Sequence, residues 1–392
     1  MRGSPTLREA DRRLRRLPDR PAPGEAEAAD RAWRVVEAAY AERPPRTPRR
    51  RTALRLALAA AIVAVALAAA LTPAGAKVGD WIEQRLASDA DTAAPAFAGL
   101  PEGGRVLAIG GDGAWVVYPD GDLQRVGGYS EAGWSPRGLH VVGVRGRRLE
   151  AATPTGTVKW TVTRPRDVHR PAWSPGDGFR VAYLEGRTLR VVAGDGTRDH
   201  RVRRRAALVV PAWRPRGGYV LTYARAGGQI ETVNADTGRR VWARRSDERP
   251  TALAWTPDGT RLVALSADRL SVYDREGRPV LDRPLSGARA LALHPSGRRA
   301  AVVVAGRGGT RVLTVPLSAR RRAAPVVTGL GRVQGIAWSP DGRRLLVASR
   351  DTDQWLLVGR GRRVRPLSGV SGEFGAGAAF PGVAGWCCPL TR

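Results

Sequence analysis

Lysine is almost absent from this chain of 392 residues: Lys77 and Lys159 stand alone among 65 lysines and arginines. Methionine occurs once, cysteine twice and histidine four times. Each scarcity excludes something. Cys387 and Cys388 are neighbours, so they cannot staple the chain into a disulfide framework. The expectation is two small residues packed in the last strand, with a bond between them or a cross-link to another chain as the alternatives. Four histidines and two cysteines without ligand spacing exclude a structural zinc site, and no metal or other cofactor is expected. Gly-x-Ser-x-Gly, His-Glu-x-x-His and Walker loops are missing, so the common hydrolase and nucleotide-binding signatures are excluded. Gly110-Gly111-Asp112-Gly113 lies between two apolar runs and reads as a hairpin rather than a phosphate cradle. No residue is assigned a catalytic role.

What is present in excess is arginine. The formal charge is +29, from 65 basic against 36 acidic residues. Such a charge suits an anionic partner. It also fits a compositional bias, because the arginines are scattered over the whole chain. Local clusters occur at Arg201-Val202-Arg203-Arg204-Arg205, Arg320-Arg321-Arg322 and Arg360-Gly361-Arg362-Arg363. Aromatics do not interleave with them as in nucleic-acid binders, so nucleic acid is not expected as a partner.

One long apolar run divides the chain. Leu56 to Leu71 is apolar throughout, and no charge appears between Arg55 and Lys77. At about 1.5 Å per residue, such a helix covers roughly the 30 Å of a bilayer core. Arg43, Arg46, Arg49, Arg50, Arg51 and Arg55 precede it, whereas Lys77 and Arg85 are offset by Asp80, Glu83, Asp89 and Asp91. The arginine excess belongs on the cytoplasmic side. The expected order is a basic cytoplasmic segment (1–52), a single transmembrane helix (53–76), a linker (77–96) and an external domain (97–392). The small residues Ala74-Gly75-Ala76 also fit a cleavage site, which would release the domain. Within the mostly disordered cytoplasmic segment, Trp33, Val36 and Tyr40 share one face of an expected helix over 25–42. That stripe suits a cytoplasmic protein partner.

The rest of the chain repeats itself. Trp134-Ser-Pro, Trp173-Ser-Pro, Trp213-Arg-Pro, Trp255-Thr-Pro, His294-Pro and Trp338-Ser-Pro follow one another at steps of 39 to 44 residues. Each closes an apolar approach and precedes a glycine and a β-branched run. A period of that length built from short strands is the signature of propeller blades. In one repeat, Ala252-Leu253-Ala254-Trp255 reads as an inner strand, Thr256-Pro257-Asp258-Gly259 as a turn, and Arg261–Leu265 as the second strand. The tryptophans are expected to fill the wedges between blades. His294 is expected to replace one of them, and Arg214 and Arg216 to disturb another repeat. Phe380-Pro381-Gly382 falls one further period on, and residues 376–390 are expected to supply a strand to the blade that opens the domain. The count is about seven four-stranded blades.

The Trp338-Ser339-Pro340-Asp341-Gly342 turn resembles the TolB-like, WD40-like repeat of bacterial β-propeller proteins over roughly residues 130–370. The resemblance implies an all-β propeller. A basic tail, one span and an external domain also resemble the organisation of membrane-bound anti-sigma factors, without their zinc-binding signature. The expected function is a membrane-anchored, non-enzymatic binding, scaffold or sensor module for a protein, peptide or glycan. The alternative is a propeller hydrolase or lyase acting on envelope polysaccharide or peptide, for which clustered acids or histidines on one rim would be needed.

Overall fold

The turn chemistry of the repeat decides where each sheet begins. In four blades a hydroxyl next to the tryptophan accepts an N–H at or just before the start of the following strand. These bonds run from His140 N to Ser135 Oγ (2.9 Å), Arg180 N to Ser174 Oγ (2.9 Å), Arg261 N to Thr256 Oγ1 (3.0 Å) and Arg344 N to Ser339 Oγ (2.9 Å). The proline then presets its own φ, and the hairpin folds back antiparallel. Where aspartate follows, Thr256 and Ser339 donate to Asp258 and Asp341 at 2.6 Å, which holds both carboxyls below the usual range.

The computed structural model describes Phe97, Leu100 and residues 104–388, except 177–178 and 320. Among these residues the strands form seven antiparallel four-stranded sheets. The first blade is Gly382–Cys387, Arg105–Gly110, Gly113–Val117 and Leu123–Gly127, from the inside out. The second runs Glu131–Trp134, Val141–Arg145, Arg148–Ala152 and Val158–Thr163, and the third Val168–Trp173, Arg180–Glu185, Thr188–Ala193 and His200–Arg203. The fourth is Ala212–Trp213, Val220–Ala224, Gln229–Asn234 and Arg240–Arg245. The fifth to seventh begin with Ala252–Trp255, Ala288–Leu293 and Val333–Trp338. The leading strands of successive sheets touch in a closed ring, and this is a seven-bladed β-propeller.

Closure uses both ends of the domain. Gly382–Cys387 pairs with Arg105–Gly110, so the last strand completes the first blade and no inner edge is left open. The core is divided accordingly: each of the seven gaps between adjacent blades holds its own apolar cluster. The cluster at the closing seam joins Val383 and Trp386 to Leu346, Trp355 and Leu357, with Phe97 and Phe374 packed on Trp355 at ring distances of 5.0 and 6.2 Å.

Three details differ from the sequence expectation. Leu293, not His294, stands opposite Ala300 in the tryptophan register, and His294 occupies the place of the hydroxyl residue. Likewise Phe380-Pro381 precedes the closing strand, whose register partner of the repeat tryptophans is Trp386, opposite Val106. In both cases a ring marks the wrong residue: proline spacing and strand pairing align Leu293-His294-Pro295 with Trp-Ser-Pro, and Phe380 offers a ring one period on whereas pairing puts Trp386 at the strand end. Cys387 and Cys388 are joined to each other as a disulfide rather than packed as separate thiols. Among the described residues no helix is long and apolar enough to cross a membrane. The span expected at 53–76 and the helix carrying Trp33, Val36 and Tyr40 lie outside the described residues.

Candidate functional site

Three neighbouring blades each set a tyrosine hydroxyl against a carboxylate. In the fourth blade Tyr223 faces Glu231 across the sheet, and its hydroxyl donates to Glu231 Oε2 at 2.9 Å. The third blade has Tyr183 donating to Asp199 at 2.8 Å, with Arg190 on the same carboxylate at 3.1 Å. In the second blade the tyrosine position is Gly143, opposite Glu150. There Tyr129, from the connection into the blade, fills the space and donates to Glu150 at 3.0 Å. A Cβ on Gly143 would sit 2.3 Å from the Tyr129 ring. Burial, then the Glu150 charge, pushes the Tyr129 hydroxyl up to about 12. The same causes raise Tyr223 further. These tyrosines stay protonated and remain donors.

In the fourth blade this motif opens onto a cleft. Arg203, Arg204, Arg205, Tyr223, Arg225, Glu231 and Arg240 wall a cavity of about 550 Å³ between blades three and four. Glu231 is 3% exposed and spends its oxygens on Tyr223, on Arg203 Nε (3.3 Å) and on Arg225 Nη1 (3.5 Å). It thereby fixes two guanidinium groups at the cleft floor. Arg203 is further held by the Gly238 carbonyl. Arg204 and Arg205 sit on an exposed loop that is nevertheless pinned. Ala226 N donates to Arg205 O (3.0 Å), Ala206 N to Arg187 O (2.9 Å), and Ala206 bridges to Arg225. Arg205 holds a left-handed φ of 60°, rare for a non-glycine residue. Five arginines face one carboxylate that is already paired.

The repeat residues lie at blade contacts. Trp213 donates to Ala172 O (3.0 Å), Trp255 to Thr222 Oγ1 (3.0 Å) and Trp338 to Ala292 O (3.2 Å), each in the preceding blade. The Trp134 and Trp173 indole nitrogens are buried without such a partner. Arginines of one blade lie over rings of the next: Arg105 over Trp134 (5.1 Å), Arg180 over Tyr219 (4.6 Å), Arg214 over Trp255 (5.8 Å) and Arg299 over Trp338 (5.2 Å). His294 joins blades six and seven. Its Nδ1 accepts from Ser296 N (3.0 Å), its Nε2–H donates to Gly342 O (2.9 Å), and its ring meets Trp338 edge-on at 4.6 Å. Burial lowers its pKa, and the nearby Arg299 charge works in the same direction. The structure thus places His294 and Arg214 at joints between blades. Arg216 lies on an exposed turn with φ 56°.

The inner strands carry one carboxylate among the described residues, Glu131. It accepts from Arg170 N at 2.7 Å and lies 3.6 Å from His169 Nδ1. The sequence drew attention to Arg201–Arg205 but missed Glu231, Tyr223, Arg225 and Arg240. A signal was present: Glu231 interrupts an otherwise buried strand, between Ile230 and Val233.

No protein-family model matches this sequence, and no curated protein does. Solved structures share its fold. The β-propeller domain of Cps50 (Swd1) from Myceliophteria thermophila aligns with a TM-score of 0.50 and 18% identity, over 62% of this chain and 87% of that one. A Bacteroides fragilis protein assigned as a 6-phosphogluconolactonase aligns with a TM-score of 0.53 and 15% identity, over 73% and 98%. At these identities the likeness concerns the fold alone.

Proposed function

We propose that the chain is a membrane-anchored, extracytoplasmic binding module whose propeller holds an acidic ligand, part of a glycan, peptide or protein, without transforming it. The observation that carries this reading is the arginine-walled cleft. Guanidinium groups remain charged at every physiological pH and cannot trade protons, so five of them around one paired carboxylate make a surface for holding anions rather than for acid–base chemistry. A glycoside hydrolase needs two carboxyl groups across the scissile bond, and the seven inner strands supply Glu131 alone among the described residues. A propeller is itself a rigid ring on which loops can present a site. The charge-free run between Arg55 and Lys77 and the arginines before it support one span with the N-terminus inside. The Trp33–Val36–Tyr40 stripe would then serve a cytoplasmic protein partner, and the repeat likeness to TolB-like proteins accords with an external propeller.

Two measurements test the reading. An alkaline phosphatase fused at the C-terminus should be active in intact cells; a C-terminal reporter that works only in the cytoplasm would overturn the topology. The purified full chain, presented in detergent to an array of acidic and neutral glycans and peptides, should retain acidic members unchanged. Conversion of a retained member into product would replace binding by catalysis.

A further inference from the structure

Resting on that binding reading, we infer that the cleft between blades three and four takes a ligand carrying at least two phosphate or sulfate groups. The argument begins with charge. Arg203 and Arg225 are committed to Glu231, yet Arg225 and its neighbours still leave the lining with five guanidinium groups against one carboxylate. Arg204, Arg205 and Arg240 make no side-chain hydrogen bond or ion pair with the described residues. Their donors therefore face solvent across a cavity of about 550 Å³, within the usual range for a small-molecule site. Bringing these cations together costs repulsion, which an anion would relieve. A single carboxylate offers one charge and two oxygens. A tetrahedral oxyanion offers three acceptor oxygens and more charge in the same volume, and planar guanidinium groups meet it two bonds at a time.

The site is also built rather than accidental. Glu231 is buried and fixes two cleft arginines through bonds of 3.3 and 3.5 Å. The Tyr223 hydroxyl reinforces the carboxylate and keeps its proton. The loop with Arg204 and Arg205 is pinned to the fourth blade by backbone bonds, with Arg205 held at φ 60°. The pieces come from four strands and two connections: Arg203 from the outermost strand of blade three, Arg204 and Arg205 from the loop that follows, Tyr223, Glu231 and Arg240 from three strands of blade four, and Arg225 from the turn after the first of these. The related tyrosine–carboxylate sites of blades two and three assemble no comparable run: Glu150 meets Tyr129 and Arg145, and Asp199 meets Tyr183, Arg164 and Arg190.

The test is calorimetric titration of the full chain in detergent at low salt with tripolyphosphate, a multiply sulfated disaccharide and citrate as probes. Tripolyphosphate or the sulfated disaccharide should bind, the stronger of the two naming phosphate or sulfate as the source, and binding should weaken as salt screens the charges. The double variant Arg204→Gln/Arg205→Gln should weaken binding at least tenfold. Arg240→Gln, on the outermost strand of blade four, should weaken it severalfold by an independent route, so that a folding defect in one variant leaves the other to decide. Arg321→Gln/Arg322→Gln removes the same charge from another blade and should leave the affinity within twofold. Equal weakening by the two double variants would show diffuse attraction to a basic protein and overturn the site. Citrate binding as tightly as tripolyphosphate would overturn the ligand class. No binding of either oxyanion probe would overturn both, while leaving the topology and binding through another surface of the propeller open to the experiments above.

Discussion

At the scale of single residues, the propeller explains much of its own composition. Arginines that open the second strand reach the next blade, where they lie over an aromatic ring or bond a backbone carbonyl. Arg105 donates to Gly138 O at 2.6 Å and Arg261 to Leu317 O at 2.9 Å. A lysine would offer a point charge without the flat face or the fork. The tryptophans divide into two kinds, and this gives a comparison. Trp213 donates its N–H to Ala172 O, whereas the Trp173 N–H is buried without a partner. Trp213→Phe should therefore cost about 1 kcal/mol more than Trp173→Phe, since it also removes a hydrogen bond; urea unfolding of the two variants measures the difference. The buried tyrosines give a pH prediction. The Tyr129 hydroxyl titrates at about 12 in the fold against 10.0 for the free group. A raised pKa stabilises the protonated form, so this contribution is complete below pH 10 and is lost as pH rises from 10 towards 12. The thermal midpoint should fall across that window, and Tyr129→Phe should flatten part of the fall. His294 has the opposite sign. Its depressed pKa means that its contribution is present above pH 6.5 and lost as pH falls below it, which His294→Gln should reduce.

At the scale of the element, the blade tolerates exchange between sequence-distant parts as long as volume and bonding are kept. Gly143 and Tyr129 together do what Tyr223 does alone in the fourth blade: a ring fills the gap and a hydroxyl meets the buried carboxylate. The glycine is required by the ring, which would lie 2.3 Å from a Cβ. Gly143→Ala should destabilise the domain by about 1–3 kcal/mol through overpacking. In the background of Tyr129→Ala the same change should cost little, and a double-mutant cycle by chemical denaturation reads the coupling. The strands and turns were legible in the sequence because their signals are local. Ala252–Trp255 and Arg261–Leu265 stand where turn residues and apolar runs placed them. The His294 register was not legible, because Leu293 offers no aromatic mark. Pairing of Leu293 with Ala300 shows which residue ends the strand, in agreement with the spacing to Pro295.

At the scale of the whole molecule, the ring holds only if its last strand is in place. Gly382–Cys387 is the inner strand of the first blade, and it packs closely on the seventh: a Cβ on Gly335, where φ is 137°, would stand 2.2 Å from Val383 O. Phe97 and Phe374, from outside the strand ladder, pack on Trp355 of the strand Gln354–Val358 and close the same seam. Removal of residues 382–392 should therefore expose Arg105–Gly110 as an open edge and abolish cooperative unfolding. Gly335→Ala should act in the same direction with the chain intact, seen as faster proteolysis within the closing strand. Size-exclusion chromatography should show self-association of the truncated chain, as expected for an unpaired edge.

The sequence by itself determined the period, the turns, the four-strand blade and the return of the last strand to the first blade. The first three follow from residues within one period of each other, and the last from the need to hide both sheet edges of the ring. It also marked Arg201–Arg205 as a basic cluster. Only the tertiary structure decided that Arg203, Arg204 and Arg205 meet Arg225, Glu231 and Arg240, that Tyr129 lodges over Gly143, and that Phe97 and Phe374 seal the seam. Those neighbours depend on how adjacent sheets twist past each other and on how far long side chains reach across the gap. A period of about forty residues fixes the number of gaps but does not encode what meets inside them.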